Sequence, residues 1–343
     1  MKKQILLVSA LILLSTQAMA SGTGYVRTGV ETGTEYNQLW DSTTGDKVDY
    51  NYTTWTLAEG YFKGSNWGNF SLGYVAKKSF NESSKDHDGA MKIELAPAYG
   101  KSASWGYFGG EFKIVDEKWD SMDGGTDTIK PKVFATININ NKSRIETKAM
   151  YALSKNSVDS SVISKDFGVY SGSVWANSTV ETTTNDGKSE WMEAEIQYKH
   201  DLLGGTAGAG VYYAQNTKDK YTVTKTSTDA WGYSSNPEIT EKLSEKDNYN
   251  RIDYLLNYAK YLSPIKTYAS LYGAYRLYDY KYEVYDYNNA TEKKEYQIGL
   301  YLNHDFKGGF AMDAELKRTA DITTSVYGKI AENSYTLGLK YNF

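Results

Sequence analysis

The last ten residues, Ser334 to Phe343, read S-Y-T-L-G-L-K-Y-N-F, and this stretch limits the fold more tightly than any other. Side chains of an extended strand alternate between two faces. Tyr335, Leu337, Leu339, Tyr341 and Phe343 therefore share one face, and Ser334, Thr336, Gly338, Lys340 and Asn342 share the other. One face is apolar and the other is wet. Such alternation suits either a half-buried strand of a sandwich or a strand standing between lipid and water. Its place in the chain discriminates, because a closed barrel ends on its final strand whereas a soluble fold commonly ends in a loose tail. Phe343 is expected to finish a wall.

The first twenty residues carry a second signature. Lys2 and Lys3 precede an apolar stretch from Ile5 to Leu14, and Ala18-Met19-Ala20 is a small-x-small site. This is the pattern of a secretory signal peptide, too short for a transmembrane helix, with cleavage expected after Ala20. The expected organisation is a signal peptide over residues 1–20 and one domain over 21–343.

Together the two ends resemble Gram-negative outer-membrane β-barrel proteins, in which a terminal Phe belongs to the signal read by the assembly machinery. The resemblance implies a place in the Gram-negative outer membrane, with outer-membrane lipid around the wall and the barrel-assembly machinery as a partner through Phe343. Across the length of 21–343 the chain is similar to the general diffusion porins, and its Tyr- and Lys-rich strands are similar to those of FomA-like major porins. A homotrimer follows from that analogy alone.

Composition agrees with a barrel wall. The chain has 32 Tyr, which suit a membrane interface, and only 4 Pro, the residue a continuous sheet tolerates least. Mean hydropathy is −0.58 and no stretch beyond the first twenty residues approaches the ~18 apolar residues of a membrane helix. A β-barrel escapes that test, since its lumen face and loops dilute the signal. Without Lys2 and Lys3 there are 36 basic against 42 acidic residues, a net charge of about −6, which argues against nucleic acid as a partner. The absence of cysteine removes disulfides and thiolate metal sites.

Alternating segments recur along the whole chain without a linker. Asn69 to Lys78, Ala90 to Lys101, Trp105 to Lys118, Pro131 to Asn140, Arg144 to Leu153, Trp191 to His200 and Gly205 to Gln215 each set several apolar residues on one face. Arg251 to Tyr261, Ile265 to Tyr278, Glu295 to Asn303 and Phe310 to Lys317 repeat the pattern. Tyr25 to Glu35 and Val48 to Lys63 have no clear phase. Short turns at 63–67, 102–104, 141–142, 201–205, 263–264 and 305–309 then belong to one rim, expected to be periplasmic. Keeping the alternation requires two strands between Asn156 and Lys188, turning near Ser171 to Ser173. The expected fold is all-β, a transmembrane antiparallel up-and-down β-barrel of about 16 strands, with 14 as the alternative; bacterial barrels have even counts.

The motif H-D-x-x-G-G occurs twice, from His200 to Gly205 and from His304 to Gly309. Paired Gly supply left-handed turn conformations and Asp bonds its own backbone there, so both are read as turn devices. The remaining histidine, His87, lies in the polar loop Ser84 to Gly89 and is read as solvated. No nucleophile stands in a recognisable motif, so no enzyme is expected. Asp120, Asp123 and Asp127 lack the spacing of a twelve-residue Ca²⁺ loop, and no Gly-rich phosphate motif opens a helix. No metal and no cofactor is expected.

The face opposite the apolar residues carries the chemistry. Its expected channel-lining residues are Lys92, Glu94, Glu111, Lys113, Lys132, Arg144, Glu146, Lys148, Glu193, Glu195, Arg251, Asp253, Arg276, Asp313 and Glu315, joined by Arg27, Glu31, Lys77, Asp166, Lys199, Glu295, Lys317 and Lys340. A Lys or Arg on the lipid face costs ~2–4 kcal/mol near the midplane, so these groups belong inside. Bases and acids nearly balance. The expected function is an outer-membrane porin, a water-filled and weakly selective channel for passive diffusion of ions and small hydrophilic solutes. Acidic outer loops from Asp116 to Asp127 would tilt its mouth toward cations. With five Arg in the chain, an oligosaccharide-specific channel for acidic sugars is a lesser alternative. The others are a surface adhesin or structural barrel with loop-mediated binding, and a hydrolase that needs His87. The long stretch Asn216 to Tyr249 is expected as a loop that folds into the pore or projects from it, and Trp119 to Lys130 as a short third loop.

Overall fold

A computed structural model describes residues 22–37, 48–64, 68–81, 89–119, 123–170, 173–228, 238–244, 249–284, 287–322 and 330–343. The strands are β1 (Gly22–Asn37), β2 (Val48–Gly64), β3 (Phe70–Asn81), β4 (Gly89–Ala103), β5 (Gly106–Trp119), β6 (Asp123–Asn138), β7 (Ser143–Tyr170) and β8 (Ser173–Leu202). They continue with β9 (Gly205–Thr228), β10 (Glu238–Ser244), β11 (Tyr249–Leu262), β12 (Thr267–Val284), β13 (Tyr287–Asp305), β14 (Phe310–Asp321) and β15 (Ile330–Asn342). Every pairing is antiparallel between neighbours, from β1–β2 onward. The expected signal peptide at residues 1–20, His87 and Asp120 lie outside the described residues.

The sheet closes through β15 on β1, with Arg27 opposite Lys340 and Gly33 opposite Ser334. Of its 15 strands, β10 pairs with β9 alone, which leaves fourteen in the closed wall. The count of sixteen is therefore corrected to fourteen. The chain reverses between Tyr170 and Ser173, where alternation required it, but the segments on either side are not separate strands. They prolong β7 to 28 residues and β8 to 30, paired as one ladder from Ser143↔His200 to Tyr170↔Ser173. A ladder has no reason to stop at a membrane boundary when Thr, Val and Ser continue to favour extended backbone. The same reason overturns two expected loops. Residues after Asn216 extend β9, which stays paired with β8 as far as Thr228↔Val180, and β10 adds to its edge. Trp119 to Lys130 is mostly hairpin, so Asp116 and Asp127 face each other across β5 and β6.

The unclear phase of β2 has a physical cause. Register slips between Thr56 and Ala58, so Thr56 pairs with Gly29 and Glu59 with Arg27, leaving Leu57 as an extra residue. Such a bulge exchanges odd and even positions between the two faces. At the seam, Gly24 N–H donates to the Phe343 carbonyl (3.1 Å) and Phe343 N–H to the Gly24 carbonyl (3.0 Å). A Cβ at Gly24 would stand 2.1 Å from the Tyr61 carbonyl oxygen, so glycine is required there. Phe343 packs against the buried pair Phe62 and Tyr74, with Leu72 and Leu95 completing the cluster.

Candidate functional site: the inner face of the barrel

Cross-strand register carries one face around the whole wall. Lys92 pairs with Lys77, Glu111 with Lys132, Lys148 with Glu195, Glu193 with Ala214, Arg251 with Tyr278 and Arg276 with Glu295. Asp313 then pairs with Gly338, and Gly338 with Gly29. By this continuity all fifteen expected channel-lining residues stand on one face. Arg27, Glu31, Lys77, Lys199, Lys317 and Lys340 share it. The side chain of Asp166 lies outside the described residues.

Side chains two strands apart meet on this face, and the exposed apolar residues stand on the other. The Arg27 guanidinium lies 2.6 Å from Asp313 and 3.0 Å from Glu59, spanning β15 to reach the first. Only glycine allows that span, since a Cβ at Gly338 would stand 2.7 Å from both Arg27 Nη2 and Asp313 Oδ1. In the same way the Tyr52 hydroxyl crosses Gly33 and donates to Glu332 (2.6 Å), and the Tyr272 hydroxyl crosses Gly299 and donates to Glu315. Tyrosines laid over glycines fill the gap a missing side chain leaves.

Elsewhere the charges pair between near neighbours. Glu94 accepts Lys92 (2.9 Å) and Lys113 (3.0 Å), Lys132 meets Glu111 (2.8 Å), and Lys148 meets Glu195 (2.7 Å). Asp253, 2% exposed, accepts Arg251 Nε (2.7 Å) and lies 3.3 Å from Arg276. Arg251 also stacks over Tyr212 and Tyr278, whose hydroxyls donate to Glu193 (2.8 Å) and Glu295 (2.7 Å). These hydroxyl partners were not foreseen. For Tyr52 and Tyr272 the spacing of a Tyr two strands from a Glu over a Gly is the signal, and it needs the register first.

Inner-face rings are not packed solid, for Tyr61 and Tyr107 remain 40% and 42% exposed. On the other face Leu316, Leu337 and Leu339 stand exposed beside Tyr335, as a lipid-facing band requires.

His200 and His304 occupy the outer face at the turn rim. His200 Nδ1 is 2.9 Å from the Ser143 hydroxyl, and His304 Nδ1 is 3.0 Å from the Thr267 hydroxyl. Ser143 and Thr267 open the strands opposite, and the paired Gly follow in turns with Gly204 and Gly308 at φ 76° and 77°. A serine hydroxyl against an imidazole is also what acyl transfer needs. Here it recurs with Thr267, whose hydroxyl donates to the Ile265 carbonyl (2.9 Å), so the contact clamps two equivalent turns.

Fold and inner face together define the class of a transmembrane β-barrel. Solved structures similar to it include the deltaS2 mutant of the TodX monoaromatic hydrocarbon channel, at 8% identity and TM-score 0.57 over 95% of this chain and 91% of that one. The Pseudomonas putida toluene transporter TodX follows at 8% identity and TM-score 0.51, over 95% and 91%. The translocator domain of the autotransporter NalP from Neisseria meningitidis has 11% identity and TM-score 0.40, over 97% and 96%, too low a similarity to carry an argument. At such identities the likeness shows the fold alone. No protein-family model matches the chain. No curated protein matches it either.

Proposed function

We propose that this protein is an outer-membrane channel of the Gram-negative cell envelope that passes ions and small hydrophilic solutes by passive diffusion. The observation that carries the reading is the closed ring of charged side chains on the concave face, opposite an apolar outer band. Charges inside a closed wall are hydrated by a water-filled path. Fourteen strands enclose far more space than the eight whose side chains can fill a barrel. Because most inner charges are matched by a partner, as Lys132 is by Glu111 and Lys148 by Glu195, net selectivity is weak. The hydrocarbon or toluene named for the TodX structures finds no apolar inner face here. Residues 1–20 act as the export signal in this reading, and Phe343 as part of the assembly signal.

Planar-bilayer recording on purified protein tests the proposal. Stable conductance steps are expected, with a reversal potential near zero in a salt gradient. Absence of steps, or steps of only about a picosiemens, would sink the open-pore reading.

The overhang of β7, β8 and β9 favours a second role alongside the first. Membrane strands need ~9–11 residues, whereas these have 28, 30 and 24. Together with β10 they build a sheet beyond the loop rim, a surface for a partner outside the membrane. Deleting residues 218–247 is expected to remove such binding and leave permeability unchanged.

A further inference from the structure

At the turn rim the inner face hollows into a cavity of about 1000 Å³ between the start of β7, the β8–β9 turn and the β11–β12 hairpin. Its floor carries a like-charged pair. Arg144 stands directly opposite Lys199 across the ladder, an arrangement that destabilises a sheet unless something neutralises it. Glu146 does part of this, 2.8 Å from Arg144 and 2.6 Å from Lys199. Asp201 does less, for it lies 3.8 Å from Arg144 and already accepts the Thr206 hydroxyl (2.9 Å). One more cation lines the opening, Lys142, which is exposed. Among the described residues no carboxylate lies within ion-pair distance of it. Lys260 belongs to the outer face and donates to the Leu203 carbonyl at the rim (2.8 Å). Three cations thus share two acids, and the walls between them hold the hydroxyls of Tyr268 and Ser270 and the Asn257 amide.

We propose that this cavity binds small polyhydroxylated solutes bearing a carboxylate or phosphate, with the cations holding the oxyanion and the hydroxyl and amide groups the solute's own hydroxyls. The site rests on the reading of the inner face as a water-filled path and adds to it a station at the turn rim. A preference for anionic solutes follows at this end, although the lumen as a whole is balanced. The excess charge sits in a concave wall where field lines concentrate.

Calorimetric titration of the detergent-solubilised protein with galacturonate, galactose and inorganic phosphate tests the proposal. Galacturonate is expected to bind saturably, galactose at least tenfold more weakly, and added salt to weaken the former. Lys142→Gln and Arg144→Gln are each expected to weaken galacturonate at least fivefold. Lys142 lies in the turn at the opening and outside the ladder's ion pairs, so its variant decides the matter should Arg144→Gln fail to fold. Undiminished affinity in Lys142→Gln, equal binding of galactose, or binding of phosphate without galacturonate would overturn the proposal. A barrel that conducts yet binds no galacturonate overturns the site and leaves the channel standing. One that binds galacturonate and does not conduct overturns the channel and leaves the site.

Discussion

The inner wall depends on where a side chain is missing as much as on where a charge is present. Gly338 is the clearest case, because the Arg27–Asp313 pair passes over it. Gly338→Val is expected to push the two apart and lower unfolding stability by roughly 1–3 kcal/mol, the usual cost of overpacking. Thermal or urea unfolding in micelles measures it. Asp313 itself is 2% exposed, so Asp313→Asn leaves Arg27 with Glu59 as its one carboxylate. Breaking a buried pair by removing one partner costs about 3–5 kcal/mol, and a smaller loss is expected here because the lumen side is wet. A double-mutant cycle with Arg27→Gln separates the pair's coupling from the loss of either group. Alternation put Arg27 and Asp313 on the wet face, yet nothing in the order of residues says that 286 positions apart they meet. The paired glycines of H-D-x-x-G-G, by contrast, were legible as turns because positive φ is a local property.

Elements depend on register, and register turns on single residues. Leu57 is the extra residue of the β2 bulge. Removing it is expected to restore plain alternation, with Thr56 and Glu59 still toward the lumen and Ala58 outward between them, whereas removing Gly60 turns the end of β2 inside out and sets Phe62 toward the lumen. That exchange dissolves the Phe62–Tyr74–Phe343 cluster. The Gly60 deletion variant should therefore lose the folded band in unheated electrophoresis, whereas the Leu57 deletion variant should keep it. The bulge also explains why β2 showed no phase in the sequence, since two half-strands of opposite parity average to none. Five short turns, at 102–104, 141–142, 201–205, 263–264 and 305–309, fall between strands as expected, because turn chemistry is local, while most of the one at 63–67 lies outside the described residues. The loops opposite were misjudged where strands simply continued.

At the scale of the whole molecule, closure converts an amphipathic sheet into two separate environments. A sheet of the same sequence left open would expose its edges and wet both faces. Closed through β15 on β1, it isolates the charged side chains on a concave surface. The overhanging β7–β8 hairpin should then be dispensable for the wall. Deleting residues 161–182 is expected to leave single-channel conductance within about twofold of the full chain. A collapse of conductance would show instead that the overhang shapes the pore. The strand number is a property of this scale too, and sixteen was the wrong count because the overhang was read as two more crossings.

Which residues share the apolar face and which the charged one was legible in the order of amino acids for most strands, because period-two alternation is written there and lipid tolerates no charge cheaply. Residues Tyr335 to Phe343 show this at once, with Leu337 and Leu339 outside and Lys340 inside. The number of strands, the bulge that flips β2, and the partners that Arg27, Tyr52 and Tyr272 reach across glycine came only with closure. Alternation has the same period in every register, so it cannot say how far one strand slides along the next. That slide is chosen by the whole ring at once, when the last strand must find the first.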